Sequence, residues 1–320
     1  MKHHLISIAP MMDCTDRHDR FFLRLISPDV LLYTEMITAH ALHHGDVDYL
    51  LRFDPSEHPV ALQLGGSDPK LLSKAAQLGE AYGYDEVNLN VGCPSPRVSK
   101  GRFGACLMRE PALVAECVAT MRAAIQIPVT VKCRIGVDDQ DDYANLHAFL
   151  TEIAKAGCDT FIIHARKAWL SGLSPKQNRD VPPLRYDIVR RVKIDFPQLT
   201  IILNGGLKTV ADIQAELPYV DGVMIGRAAY ANPYLLADIQ KAFFSDRIAP
   251  KRDDIIQRLM PYISCQLKNS VRLSAISRHI LGLYMGQSGA AKWRRYISEH
   301  AYLPGAGVEV IERALELMKE

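Results

Sequence analysis

No CxxC pair occurs among the seven cysteines, which stand at 14, 93, 106, 117, 133, 158 and 265. An odd set with that spacing excludes a disulfide framework and a zinc-finger pattern, so reduced thiols and no metal are expected. No apolar run approaches the length of a bilayer, and the opening MKHHLISIAP has too short an apolar stretch for a signal peptide. A cytoplasmic protein without a membrane partner follows as the expectation, with a monomer as its working state. Charge of neither sign dominates. The net is only +2, which says nothing about partners until the distribution of charge is examined. A GxGxxG after an early strand is missing too, which argues against an open dinucleotide-binding sheet. What is present is ordinary for a folded chain: 48% hydrophobic and 23% charged residues over 320 positions, enough for a barrel of about 250 residues plus an appendage.

Eight short, β-branched apolar runs recur: ISIAPMM from 6, LLYTEM from 31, VALQLG from 60, EVNLNVG from 86, VTVKCRIG from 129, TFIIHAR from 160, TIILNGG from 200 and DGVMIG from 221. Between them lie stretches such as DPKLLSKAAQLGEAYG and REPALVAECVATMRAAI, whose apolar residues return every three or four positions as in amphipathic helices. Continuous apolar strands alternating with helices predict a parallel sheet covered on both faces, and eight such units predict a (β/α)8 TIM barrel. The fold class expected is therefore α/β, with a C-terminal all-helical domain beyond the barrel.

The ends of these runs carry the chemistry. Gln63, Asn88 with Asn90, Lys132 with Arg134, His164 with Arg166, Asn204 and Arg227 all stand there, and in a barrel the carboxyl ends of the strands converge on one face. One run ends in NLNVGCPSPRVSKGRFGACLM, with Cys93 followed by Pro94 and Pro96. Those prolines exclude a continuing strand or helix, so the thiol is displayed on a turn. Cys106 is the rival thiol, but its apolar flanks favour a structural role. Asn204-Gly205-Gly206 and Gly226-Arg227 follow the last two runs, where bare backbone N–H groups beside a helix start suit a phosphate.

A lysine at a barrel mouth is costly to bury without an anionic partner. The reduced isoalloxazine ring offers one to Lys132, and Gln63 can meet the ring's pyrimidine edge with both a donor and an acceptor. Pro10, Met11 and Met12 would supply backbone groups and a soft apolar surface. His164 is assigned either to the ring or to its phosphate arm. Without an adenosine-binding fingerprint, these residues favour FMN over a dinucleotide flavin.

The motifs APMMDCTDRHDRFF at 9, VALQLGGSDP at 60, NLNVGCPSPRVSKGRFGACLM at 88, VKCRIGVDD at 131, NGGLKT at 204 and GVMIGRAAYANP at 222 carry a resemblance that covers essentially the whole chain. It resembles the tRNA-dihydrouridine synthases. HARKAWLSGLSPKQNRDVPPLRY at 164 belongs to the same set of motifs, and its loop from Ala168 to Tyr186, with GLSPKQNR and VPPLRY, resembles the A-type branch of that family, whose substrates are the D-loop uridines at positions 20 and 20a of tRNA. The resemblance implies that NADPH reduces FMN, that hydride passes from the flavin to C6 of uracil, and that a cysteine acid, here Cys93, protonates C5. A cysteine thiol carries a proton that it can give up as a general acid. On the same basis Asn90 is expected to meet the uracil edge, and Arg166 to hold the base or its phosphate.

A uridine stacked in RNA has to be extruded before it can be reduced, which demands grip on the surrounding nucleic acid. From Lys251 to Ser298 nine basic residues face two acidic ones. Lys268, Arg272 and His279 are spaced to share one helix face around Ala275, and Trp293, Arg294, Arg295 and Tyr296 add groups that can pack on bases or phosphates. Lys176 and Arg179 extend the basic surface from the loop after the sixth strand. FSDRIAPKRDD at 244 to 254 reads as a linker, which predicts a barrel over 1–243 and a helical tRNA-binding domain over 244–320. The competing enzyme class is an FMN barrel acting on a small molecule, such as a dihydroorotate or enoate reductase. It would share the cofactor residues but would not need the basic appendage.

Overall fold

In the computed structural model, which describes residues 4–244 and 249–319, every one of the eight apolar runs contains a strand. They are β1 (Ile6–Ile8), β2 (Leu32–Tyr33) with β3 (Ile37–Thr38), β4 (Val60–Gly65), β5 (Glu86–Val91), β6 (Val129–Arg134), β7 (Thr160–His164), β8 (Thr200–Asn204) and β9 (Gly222–Ile225). All pair in parallel in the order β1-β9-β8-β7-β6-β5-β4-β2, and β3 also pairs with β4, so β2 and β3 form one interrupted stave. Bonds from Ile8 N to Leu31 O at 2.9 Å and from Leu31 N to Ile6 O at 3.1 Å bring the first stave back to the second. The result is a closed eight-stave barrel.

The helices arise from local signals. Pro69–Ala81 begins with a proline at its first turn, and the Asp68 carboxylate accepts from Lys70 N and Leu71 N at 2.8 and 3.0 Å. Its buried residues Leu72, Ala75, Ala76 and Gly79 repeat at helical spacing. Gly79 lets the helix approach β4 closely, because a Cβ there would lie 2.7 Å from a Leu62 methyl.

Inside the barrel the side chains segregate. Ala9, Leu31, Tyr33, Ala61, Ile162, Ile202 and Met224 form one buried apolar cluster against which Met11 packs. The inward positions of β5 and β6 instead carry Glu86, Asn88, Asn90 and Thr130, all buried, by the two-residue period of a strand.

The chain divides into two compact units. One comprises Met1–Met12, Val30–Leu207 and Ala211–Gly226, and the other Asp13–Asp29, Lys208–Val210 and Arg227–Glu320. The helix Arg17–Ile26 groups with the C-terminal helices, where Phe21 stacks on Tyr262 with ring centroids 3.9 Å apart and the Ser27 hydroxyl donates to Gln240 at 2.7 Å. Composition could not show this, since the segment lies between the first two strands in sequence. The linker expected at 244–254 falls in part, at 245–248, outside the described residues.

Candidate active site

Strand register gathers the polar strand ends. Gln63 lies opposite Asn88, Asn90 opposite Lys132, Arg134 opposite His164, and His164 opposite Asn204. Five consecutive staves thus present polar side chains at their carboxyl ends, the face where catalytic groups of this fold are assembled.

Cys93 is half-buried on the turn after β5. The turn is held by Asn90, whose Oδ1 accepts from Gly92 N at 3.1 Å and Cys93 N at 3.0 Å, while its Nδ2 donates to Gln63 Oε1 at 2.9 Å. Cys93 O in turn accepts from Ala105 N at 2.9 Å. Asn90, expected at the uracil edge, therefore also anchors the thiol turn. Cys106 donates to Phe103 O at 3.2 Å, and burial, with Glu110 adding, pushes its thiol above the ordinary value. Cys117 and Cys133 are buried and pushed up to about 12 by desolvation.

Lys132 Nζ donates to Asn204 Oδ1 at 2.8 Å. Desolvation, with the neighbouring Arg134 adding, brings its ammonium down to about 8. Asn204 is 7% exposed and latches three staves, because its Nδ2 donates to Met224 O at 2.8 Å and its carbonyl accepts from Ala165 N at 2.9 Å. Beyond it Gly205 and Gly206 both take positive φ, 119° and 75°. A Cβ on Gly205 would lie 2.7 Å from the His164 ring, and one on Gly206 would lie 2.4 Å from a Leu184 methyl, so only glycine fits this turn unstrained. Gly226 rests near Ala9 and Met11. Pro10 and Met11 are partly exposed, and Met12 is exposed. Arg227 falls in the second unit.

The sequence puts Arg134 at a strand end without assigning it a role. It is 3% exposed and binds three carbonyls: Nε reaches Gly92 O at 2.9 Å, and Nη1 reaches Lys167 O at 2.9 Å and Asn178 O at 3.0 Å. It ties the thiol turn to the long loop after β7. That loop is organised by Asn178, fully buried, whose amide bonds Trp169 through both its oxygen (2.7 Å from Trp169 N) and its nitrogen (2.9 Å from Trp169 O). Arg166 donates to the carbonyls of Asp180 and Pro182, while Lys176 and Arg179 are exposed. Exposed Arg97 and Lys100, on the short helix Pro96–Lys100 after Cys93, are further cations that the sequence reading passed over.

In the second unit the single basic helix face does not form. The helix Arg252–Lys268 ends before Ser270, which has φ 62°, and Arg272 caps a separate turn, Leu273–Ser277. His279 is buried against Asp16 at 3.1 Å. Trp293 is not a stacking platform either: it is fully buried and donates to Ile280 O at 3.2 Å. Its neighbours Arg294 and Arg295 are exposed on the helix Ala290–His300, with Arg295 paired to Glu299 at 2.8 Å.

Among the described residues no group of three or more His, Cys, Asp and Glu side chains is arranged to hold a metal ion, and no helix is long and apolar enough to cross a membrane. The fold and site define a (β/α)8-barrel protein with a thiol-bearing polar mouth. A family model described as dihydrouridine synthase (Dus) matches residues 7–318, and the chain belongs to that family. It is 56% identical over 312 residues to the tRNA-dihydrouridine(20/20a) synthase of Vibrio cholerae serotype O1, covering 97% of this chain and 95% of that protein. It is 54% identical over 315 residues to the tRNA-dihydrouridine(20/20a) synthase of Synechocystis sp., covering 98% and 94%. Among solved structures it is similar to a 2-naphthoyl-CoA reductase in complex with 2-naphthoyl-CoA, with a TM-score of 0.56 at 10% identity, over 74% of this chain. It spans 50% of that chain, and the likeness is one of fold.

Proposed function

We propose that this protein reduces the 5,6-double bond of the D-loop uridines at positions 20 and 20a of tRNA, with NADPH as electron source, FMN as cofactor and Cys93 as general acid. Family membership and the names of its relatives support the reaction. The observation that carries the assignment of residues is the gathering, on one barrel end, of a half-buried thiol turn, a desolvated lysine and a turn only glycine can make.

The residues fit a flavin mononucleotide. Lys132 is a half-buried, desolvated cation whose bond goes to a neutral amide oxygen, so an anion beside it is favoured. The Gly205-Gly206 turn, whose glycines are required by close packing against His164 and Leu184, would offer its backbone N–H groups to the phosphate. Gln63 and His164 would hold the ring and its arm, and Pro10, Met11 and Met12 its edge, with Gly226 and Arg227 continuing the phosphate turn. When bound, the flavin supplies hydride chemistry. The protein supplies the proton: Cys93 Sγ–H donates to C5 as C6 is reduced, and the thiolate regains its proton from solvent. Asn90 would keep the thiol turn in place and meet the base, and Arg166, bonded to the Asp180 and Pro182 carbonyls, would hold the nucleotide. Lys176 and Arg179 on the first unit, and Arg294 and Arg295 on the second, would each contact RNA phosphates. In this reading the barrel, 1–243, performs the chemistry and the helical region, 244–320, binds tRNA, in the cytoplasm, as a monomer and without a metal.

The test is incubation of the purified protein with NADPH and unmodified tRNA, followed by mapping of reduced uridines, with Cys93→Ala run alongside. Reduction at positions 20 and 20a that falls at least 100-fold in the variant, with its flavin retained, is expected. Flavin-bearing protein that oxidises NADPH but reduces no uridine would mean either that prior tRNA modification is required or that the substrate is a small molecule.

A further inference from the structure

An unbroken relay of hydrogen bonds runs through the barrel interior to the thiol turn. Its inner end is Glu86, 3% exposed at the start of β5. One carboxylate oxygen, Oε1, accepts from Thr130 Oγ1 at 2.6 Å and from Tyr33 OH at 2.7 Å, while Oε2 lies 2.9 Å from His4 Nε2. Burial alone would lower the His4 pKa, but the bond to Glu86 and its charge raise it above the ordinary value, which favours an ion pair there. From Thr130 the relay proceeds outward. Asn88 Nδ2 donates to Thr130 Oγ1 at 2.8 Å, Gln63 Nε2 to Asn88 Oδ1 at 2.8 Å, and Asn90 Nδ2 to Gln63 Oε1 at 2.9 Å. Asn90 Oδ1 then accepts from Gly92 N and Cys93 N.

Both ends impose the same direction. A carboxylate only accepts and a backbone N–H only donates, so each amide between them has one permitted orientation. The Thr130 hydroxyl spends its single hydrogen on Glu86, which leaves its lone pairs for Asn88 and fixes everything beyond. Bonds of this kind in a low-dielectric interior polarise one another, and a reversed amide would set donor against donor.

We propose that Glu86 and Thr130 are positioning residues for Cys93. They anchor the inner end of the relay and so hold Asn88, Gln63 and Asn90 in the one orientation that the Gly92 and Cys93 N–H groups also require. Both are buried in the barrel interior and act through three intervening amides. The inference rests on the reading of Cys93 as the proton donor only for its activity arm.

The experiment compares Thr130→Val, which keeps shape but removes the hydroxyl, with Thr130→Ser, which restores it, and with Tyr33→Phe, which removes a bond to the same carboxylate off the relay. Residue-resolved hydrogen exchange at Gly92 and Cys93 is measured in the flavin-loaded protein, beside single-turnover reduction of tRNA. Thr130→Val is expected to speed exchange at both amides at least tenfold and to slow reduction at least tenfold with tRNA affinity unchanged. Thr130→Ser returns both to within threefold of wild type, and Tyr33→Phe leaves the exchange unchanged. Wild-type exchange in Thr130→Val, or equal defects in the Val and Ser variants, overturns the proposal. Should Thr130→Val fail to fold, Glu86→Met removes the acceptor at the other end of the same bond and is read in the same way. A wild-type protein that reduces no uridine would defeat the functional reading, whereas the exchange arm would still decide this one.

Discussion

Lys132 concentrates the site's electrostatics in one side chain. Desolvation brings its ammonium down to about 8, so its proton is held below that pH and lost above it. An anion placed beside it stabilises the charged form and raises the pKa in the complex. Binding is therefore accompanied by proton uptake above pH 8 and by none well below it, so affinity for an anionic flavin is expected to be flat up to pH 8 and to fall above it. The limiting slope is about tenfold per pH unit, as linkage dictates for a single proton. Equilibrium dialysis of FMN between pH 7 and 9 measures this. Lys132→Met should bind more weakly at pH 7 and lose the dependence; a wild-type profile in that variant would assign the proton elsewhere. The thiols divide on similar grounds. Cys117 and Cys133 are buried and pushed up to about 12, whereas Cys93 stands half-buried on a turn built to display it.

Among the elements, the thiol turn and the loop after β7 behave as one part because Arg134 joins them. Arg134→Met leaves three carbonyls without their donor and is expected to cost about 2–4 kcal/mol of stability, given the penalty for unsatisfied buried groups. Arg134→Lys should recover little of it, since an ammonium lacks the planar fork that reaches Gly92, Lys167 and Asn178 together. Urea unfolding of both variants reads the difference. The helix Arg17–Ile26 offers a second element-level prediction. His18 is buried with its Nδ1 2.7 Å from Tyr262 OH, and burial lowers its pKa to about 4. Between pH 6.5 and 4 the unfolded chain binds the extra proton, so the stability of these helices falls as pH drops through that window. His18→Gln should flatten this part of the pH dependence, as followed by Trp293 fluorescence. Strand rhythm and the polar strand ends were legible in sequence because a period of two and a run of β-branched residues are local properties. The grouping of residues 13–29 with the C-terminal helices was not, since it depends on contacts across more than 200 positions such as Ser27 with Gln240. Nor was the relay from Glu86, although E-x-N-x-N at 86–90 was its visible trace. A polar residue every second position tells which face is polar, and only register tells that Thr130 and Gln63 complete the chain.

At the scale of the whole molecule, a substrate the size of tRNA has to be held through phosphates, and the cations have to be found where they are exposed. The basic excess between Lys251 and Ser298 overstates this supply. Arg278 bonds Asp16 at 2.6 Å, Arg252 donates to Leu283 O at 2.9 Å, and Arg258 donates to Leu25 O, so several of the nine cations serve the fold. Arg294 and Arg295 are exposed on one helix, and the pair of Arg295 with Glu299 is a surface ion pair that contributes little and yields readily to a phosphate. Trp293 beneath them is fully buried, which keeps that helix rigid while its outer face is changed. Each phosphate contact contributes about one unit to the slope of log affinity against log salt. Arg294→Ala with Arg295→Ala is therefore expected to reduce the slope of tRNA binding by about two, with no change in flavin content and a catalytic rate on saturating tRNA near that of wild type. A double variant with the wild-type slope would place the phosphate contacts elsewhere, with exposed Lys176 and Arg179 the next pair to remove. A variant with an unchanged slope but weaker binding at every salt concentration would show that the helix contributes stacking or apolar contact in place of charge.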